Sequence, residues 1–304
     1  MKKILALISL VAFSPVHAEE LFFGDVNYFL KAKQVNVTAG MDMSSYRYRY
    51  GKSGSDNEKE GYTFQASAAY AFTDQFNLFF TAQDNYRMKV TTSSGSYYQN
   101  GMQNPVIGGN YRLLNQNSSL VNLDFGLVAG LNFQDQELGS VNKDGNAANG
   151  RSSLELNYRI GKKWNVANEW QLTGGFVYNK SGEYKQLGTT TEKVDMDAST
   201  DSYLKLAYQY RPVHEIMFNI SAKATQISGF DSKNKSTGYK SSSETRTNYD
   251  FLGSAKYLIT DNFILSASYG QSYMPDYKAN TSSNVGKVYR QRYSQMGIGL
   301  DFLF

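Results

Sequence analysis

Tyr293-Ser-Gln-Met-Gly-Ile-Gly-Leu-Asp-Phe-Leu-Phe304 is the stretch on which the fold turns. Side chains alternate across a β-strand. Met296, Ile298, Leu300, Phe302 and Phe304 therefore share one face, and Gln295, Gly297, Gly299 and Asp301 share the other. The ribbon has one apolar side and one wet side. The same period recurs upstream, most clearly over 119–133. There Val121, Leu123, Phe125, Leu127, Ala129, Leu131 and Phe133 oppose Asn122, Asp124, Gly126, Val128, Gly130 and Asn132. Twelve such segments are legible, at 34–50, 61–72, 76–90, 104–114, 119–133, 151–160, 164–179, 201–210, 215–229, 247–258, 263–274 and 288–304. The stretch 104–114 is the weakest and includes Pro105.

The connections alternate as well. Short ones are expected at 73–75, 115–118, 161–163, 211–214 and 259–262. Long polar ones are expected at 51–60, 91–103, 134–150, 180–200, 230–246 and 275–287. No run approaches the ~18 apolar residues of a membrane helix. The 24 Tyr and 18 Phe instead supply amphipathic aromatic surface, and only 4 Pro interrupt 304 residues. Long strands exclude internal proline because it removes a ladder hydrogen bond. Alternation of this length with alternating short and long connections is the pattern of transmembrane β-barrels. The chain resembles bacterial outer-membrane β-barrels throughout, including the C-terminal strand that closes on an aromatic residue, with no motif tying it to one porin family. The expected fold is an all-β, antiparallel up-and-down transmembrane barrel of twelve strands, with short periplasmic turns and long extracellular loops. Ten or fourteen strands remain open because 104–114 and 19–33 are ambiguous. A secreted soluble β-sandwich or β-helix is the competing fold, and it predicts no regular long/short alternation.

Residues 1–18 read as an export signal. Lys2 and Lys3 form a basic start, Ile4–Phe13 an apolar run too short to span a bilayer, and Val16-His17-Ala18 a small-residue cleavage site. Residues 34–304 are assigned to the barrel. The segment 19–33 between them lacks clean alternation, with Leu21, Phe22, Asp25, Phe29 and Lys33 near helical spacing. It is either a short periplasmic or lumenal segment that narrows the pore, or extra length on the first strand. Removing Lys2 and Lys3 from the net charge of +4 leaves a nearly neutral chain, so no nucleic-acid partner is expected.

Outward parity places Phe76, Trp164, Tyr210, Tyr257, Phe263, Phe302 and Phe304 at the short-turn ends. Rings at that depth anchor a barrel among lipid headgroups. Inward parity collects Asp42, Arg112, Asp124, Glu155, Arg159, Glu169, Lys205, Lys223, Lys256 and Asp301. Facing lipid, each charge would cost up to a few kcal/mol. Twelve tilted strands close at a backbone radius of about 12 Å, which leaves a lumen roughly 10 Å across. These charges either line a narrow water-filled passage or pair into salt bridges that seal it.

Catalytic and metal sites are not expected. There is no cysteine, and His214, in the turn Arg211-Pro-Val-His214, is the sole histidine after residue 18. The barrel phospholipases, proteases and acyltransferases of the outer membrane use a histidine near the outer leaflet or loops, a position that nothing here matches. One histidine without cysteine disfavours zinc. Asp195-Met-Asp197-Ala-Ser199-Thr-Asp201 lacks the turn glycine and closing glutamate of a calcium loop. The expectation is a non-enzymatic, cofactor-free channel or porin for passive diffusion of small hydrophilic solutes. Its expected state is a monomer among outer-membrane lipid and lipopolysaccharide. The resemblance implies that assembly machinery reads the Phe304 strand. The competing function is a non-conducting structural barrel or adhesin acting through loops such as 230–246 and 275–287. The tyrosines of Tyr46-Arg-Tyr-Arg-Tyr50 fall on inward parity, where they would meet anionic or aromatic solutes at the pore mouth.

Overall fold

A computed structural model describes residues 21–304 apart from 52, 53, 55, 142, 189, 282 and 283, so the export signal expected over 1–18 lies outside the described residues. The wall is built from β1 (Val35–Tyr50), β2 (Asp56–Thr73), β3 (Phe76–Thr92), β4 (Val106–Leu114), β5 (Asn122–Gly130) and β6 (Ser153–Asn165). It continues with β7 (Asn168–Asn179), β8 (Ser199–Val213), β9 (Ile216–Ile227), β10 (Arg246–Thr260), β11 (Phe263–Met274) and β12 (Asn284–Leu303). Each strand pairs antiparallel with the next. β12 returns to β1, from Asn36↔Leu303 to Tyr50↔Val288. The sheet thus closes with no free edge, and its backbone groups are satisfied between strands. The count is twelve, with the weak stretch at 104–114 forming β4 and 21–33 forming no wall strand.

The faces divide as the alternation requires. Leu156, Ile220, Phe251 and Ile298 are each more than half exposed on the outside. Such surface on a closed sheet is what lipid covers. Inward positions such as Asn122, Lys163 and Gln209 are buried.

Two short turns are displaced from their expected places. β6 runs through Gly161, Lys162 and Lys163 to Asn165, so the turn is Val166-Ala167 and not 161–163. Asn165 makes it, its Oδ1 accepting from Ala167 N and from Asn168 Nδ2 at 2.9 Å each, a local bond that asparagine favours. Trp164 therefore ends β6 rather than starting β7. Likewise β8 continues to Val213, placing Arg211 in the wall and His214 at the tip.

The long connections are not plain loops. Residues 182–186 pair with 192–196, those with 231–234, those with 240–243, those with 277–281, and those with β12. Residues 95–102 extend β3 and meet 145–146, and 136–138 run parallel to 182–186. A collar of sheet therefore continues the cylinder beyond its apolar band. Ion pairs cross it, including Lys235 with Glu183 (2.5 Å) and Asp195 (3.0 Å).

Candidate functional site

Residues 21–33 lie inside the short-turn end of the cylinder, because they touch wall strands around its circumference. Leu30 packs on Ala71 of β2 and Leu303 of β12. Phe23 reaches Met217, Leu258 and Ile264 on β9, β10 and β11. Gly24 turns between them at φ +90°, where a Cβ would stand 2.6 Å from Ile264 Cδ1 and 3.0 Å from Met217 Sδ. Only glycine suits both the backbone and the space. At the far end Lys33 N donates to Ala71 O (2.8 Å) and Ala32 N to Asp74 Oδ1 (2.7 Å).

Two carboxylates hold the segment. Asp25, 6% exposed, accepts from Lys163 Nζ (2.9 Å) and Arg211 Nη2 (2.9 Å). It also takes Gln209 Nε2 (3.1 Å) and Phe22 N (2.8 Å). The Phe22 ring lies 4.5 Å from Lys163 Nζ and meets His214 edge-on. Glu169 reaches the other way, from wall to segment, accepting Val26 N (2.6 Å), Asn27 N (3.2 Å) and Asn27 Nδ2 (3.0 Å). The Asn27 carboxamide also donates to Trp170 O (2.9 Å), over Gly161, whose missing side chain leaves the room. Arg112 donates Nη2 to Asn27 O (2.9 Å) while binding both oxygens of Asp124, at 2.7 and 3.0 Å. Gln171 Nε2 and Lys256 Nζ bond Val26 O (2.8 Å) and Gly24 O (3.2 Å). Three carboxylates, Asp25, Asp124 and Glu169, thus meet four cations, Arg112, Lys163, Arg211 and Lys256, in a largely buried layer, where an unpaired charge would be costly.

The ten residues expected to line the lumen fall into two groups. Arg112, Asp124 and Glu169 are almost fully buried beneath the segment, so they do not face an open passage. The others are half-buried on the inner wall above or beside it. Glu155 accepts from Tyr203 Oη (2.6 Å) and Asn157 Nδ2 (2.9 Å), and Asp301 from Thr38 Oγ1 (2.7 Å). Arg159 has Nε and Nη2 without a partner. Lys205 and Lys223 stand directly opposite each other. Asp42 faces Gly297 across β1 and β12.

Of the interface aromatics, Phe76, Tyr210, Tyr257 and Phe304 are exposed outward. Phe263 and Phe302 stack at 4.6 Å, which half-buries both, and Trp164 is also half-buried. At the long-connection end Tyr46 and Tyr48 stack at 5.2 Å, and Tyr46 Oη donates to Gln291 (2.8 Å). Among the described residues no cluster of three or more His, Cys, Asp or Glu is placed to hold a metal. Asp195 is ion-paired, and Asp201 accepts from Asn179 Nδ2 (3.1 Å) and Ser228 N (3.1 Å). His214 Nε2 stands 3.6 Å from Asp261 at the turn tips.

No protein-family model matches the chain, and no curated protein is similar to it in sequence. Among solved structures, the COG4313 outer membrane channel from Pseudomonas putida F1 superposes with a TM-score of 0.59 at 14% identity, over 94% of this chain and 100% of that one. The fold is that of a bacterial outer-membrane β-barrel. The cylinder has two unlike ends, one closed by short turns and one extended by the collar. The outer membrane protease OmpT from Escherichia coli aligns at TM-score 0.45 and 9% identity, over 92% of this chain and 99% of that one. The KdgM porin aligns at 0.43 and 9%, over 86% and 98%. Likeness at those levels has no bearing on what this barrel does.

Sequence parity alone does not single out Asp25, Asn27, Lys163 or Arg211, and it places Gln209 inward with Lys205 without setting it apart from other polar residues. Asp25 and Asn27 are polar residues set in the apolar run Leu21–Leu30. Lys163 and Arg211 join the inward parity once β6 and β8 are given their full lengths.

Proposed function

We propose that this barrel is an outer-membrane channel for passive diffusion of small hydrophilic solutes in a Gram-negative bacterium, latched at its periplasmic end by residues 21–33. The observation behind this reading is the contrast along the lumen. Below, charges pair tightly with a segment of the chain's own N-terminal side. Above, Glu155, Arg159, Lys205, Lys223 and Tyr203 present a half-buried polar wall. A barrel sealed for structural reasons has no need of ionisable groups on its upper wall, where each costs desolvation. Release of the latch would connect that wall to the periplasm.

The role is passive and non-enzymatic. Among the described residues the one histidine, His214, sits at a short-turn tip. Proteoliposome swelling tests the reading. Vesicles holding the folded barrel should swell in sugars and amino acids small enough for a lumen roughly 10 Å across, and faster when residues 21–32 are deleted. No swelling with either protein would refute it. A second reading, an adhesin or structural barrel, draws on the paired extracellular collar. Deleting 231–243 should abolish cell adhesion and leave solute flux intact if that reading holds.

A further inference from the structure

One row of inward residues crosses the wall strand by strand. Arg112 faces Asp124, Asp124 faces Arg159, Arg159 faces Thr173, Thr173 faces Lys205, Lys205 faces Lys223, and Lys223 faces Asp250. The first two residues neutralise each other. Arg159 then has two guanidinium nitrogens without partners. Lys205 and Lys223 are like charges on directly opposed positions, an arrangement that destabilises a sheet. Among the described residues neither lysine makes an ion pair. Lys223 Nζ instead rests 4.5 Å from the Tyr203 ring. Glu155 is engaged by Tyr203 and Asn157. Asp250, at the end of the row, is the one carboxylate lining the same recess and offsets a single charge. That recess, of about 320 Å³, is bounded by Lys205, Ser221, Lys223, Leu252, Tyr293 and Gln295 besides Asp250.

We infer that the Lys205–Lys223 recess is a binding site for a small organic carboxylate on its way through the lumen. The inference rests on the channel reading and names its solute class. A carboxylate between the two ammonium groups removes their repulsion and gains charge-assisted hydrogen bonds. Ser221 and Gln295 offer neutral hydrogen-bonding groups, and Leu252 with Tyr293 gives the carbon skeleton an apolar rest. A cation is repelled there, and a neutral sugar leaves the two lysines uncompensated.

Succinate is the probe. Isothermal titration on the folded full-length barrel in detergent should show saturable binding to the wild type. The double variant Lys205→Gln, Lys223→Gln should bind at least ten-fold more weakly, the double arginine variant should retain binding, and Lys233→Gln on the collar should change nothing. In planar bilayers under a potassium succinate gradient, the reversal potential should move toward cation selectivity in the double glutamine variant. The heat-shifted gel mobility of each variant shows that it has folded. Absent succinate binding, or equal binding in the double glutamine variant, overturns the inference even if the barrel conducts. Lysine-dependent binding with no conductance in any variant upholds the site and overturns the channel reading instead.

Discussion

Asp25 concentrates the latch in one side chain. It gathers Lys163, Arg211, Gln209 and the Phe22 amide in a site closed to water. Replacing it with asparagine removes the carboxylate that two buried cations share, and breaking a buried pair from one side costs about 3–5 kcal/mol. Asp25→Asn should therefore free the segment without unfolding the wall, because the wall's ladders do not involve it. Limited proteolysis should cut within residues 21–33 of the variant and spare the wild type, and equal protection would contradict the latch. Glu169→Gln should have a smaller effect, since a carboxamide oxygen still accepts from Val26 N. The two-residue period of the sequence marks Arg112, Asp124 and Glu169 as inward residues. It does not reveal that Lys163 pairs with Asp25, 138 positions away. Nor does it distinguish a charge facing water from one facing the segment, since both lie on the same side of the ribbon.

At the scale of elements, the segment depends on Gly161 as much as on charge. Any side chain there occupies the place of the Asn27 carboxamide and approaches Trp170 O at 2.8 Å. Gly161→Leu should displace the segment and raise conductance while the barrel still folds, and unchanged conductance would show that Asn27 does not hold the latch. The collar answers to pH. Hydrogen bonding from Lys235 first, then the nearby charge of Lys193, holds the Glu183 carboxyl below the ordinary glutamate range. The folded collar thus binds that proton less readily than an unfolded one. Its stabilisation is complete above the unfolded value of about 4.3 and is lost as pH falls through the lower folded value. Amide exchange over 182–196 should accelerate in acid and in high salt, which screens the exposed pairs. Exchange indifferent to both would contradict the ion-pair account. The membrane-spanning strands were legible because lipid and water write opposite residues on their two faces. The collar strands were not, because they are short and mostly polar, and a pair such as Val194 and Met196, buried on one face of 192–196, is too brief a pattern to read.

For the whole molecule, the row of exposed Leu, Ile and Phe on a closed cylinder requires an apolar solvent outside. The barrel should need detergent to stay monomeric. It should also run at a different apparent size on a gel when unheated, as a closed sheet that resists dodecyl sulfate. Recovery as a water-soluble monomer without detergent would contradict the outward face. The fold was readable at this scale because closure, strand number and the two ends follow from local alternation repeated twelve times. The filling of the lumen was not, because it depends on where a short segment outside the pattern docks.

Single-channel recording in planar bilayers, comparing the full barrel with a variant lacking residues 21–32, tests the central claim most directly. The account predicts small, infrequent steps for the full barrel and larger, sustained steps for the variant. Identical traces, or silence from both, would contradict it.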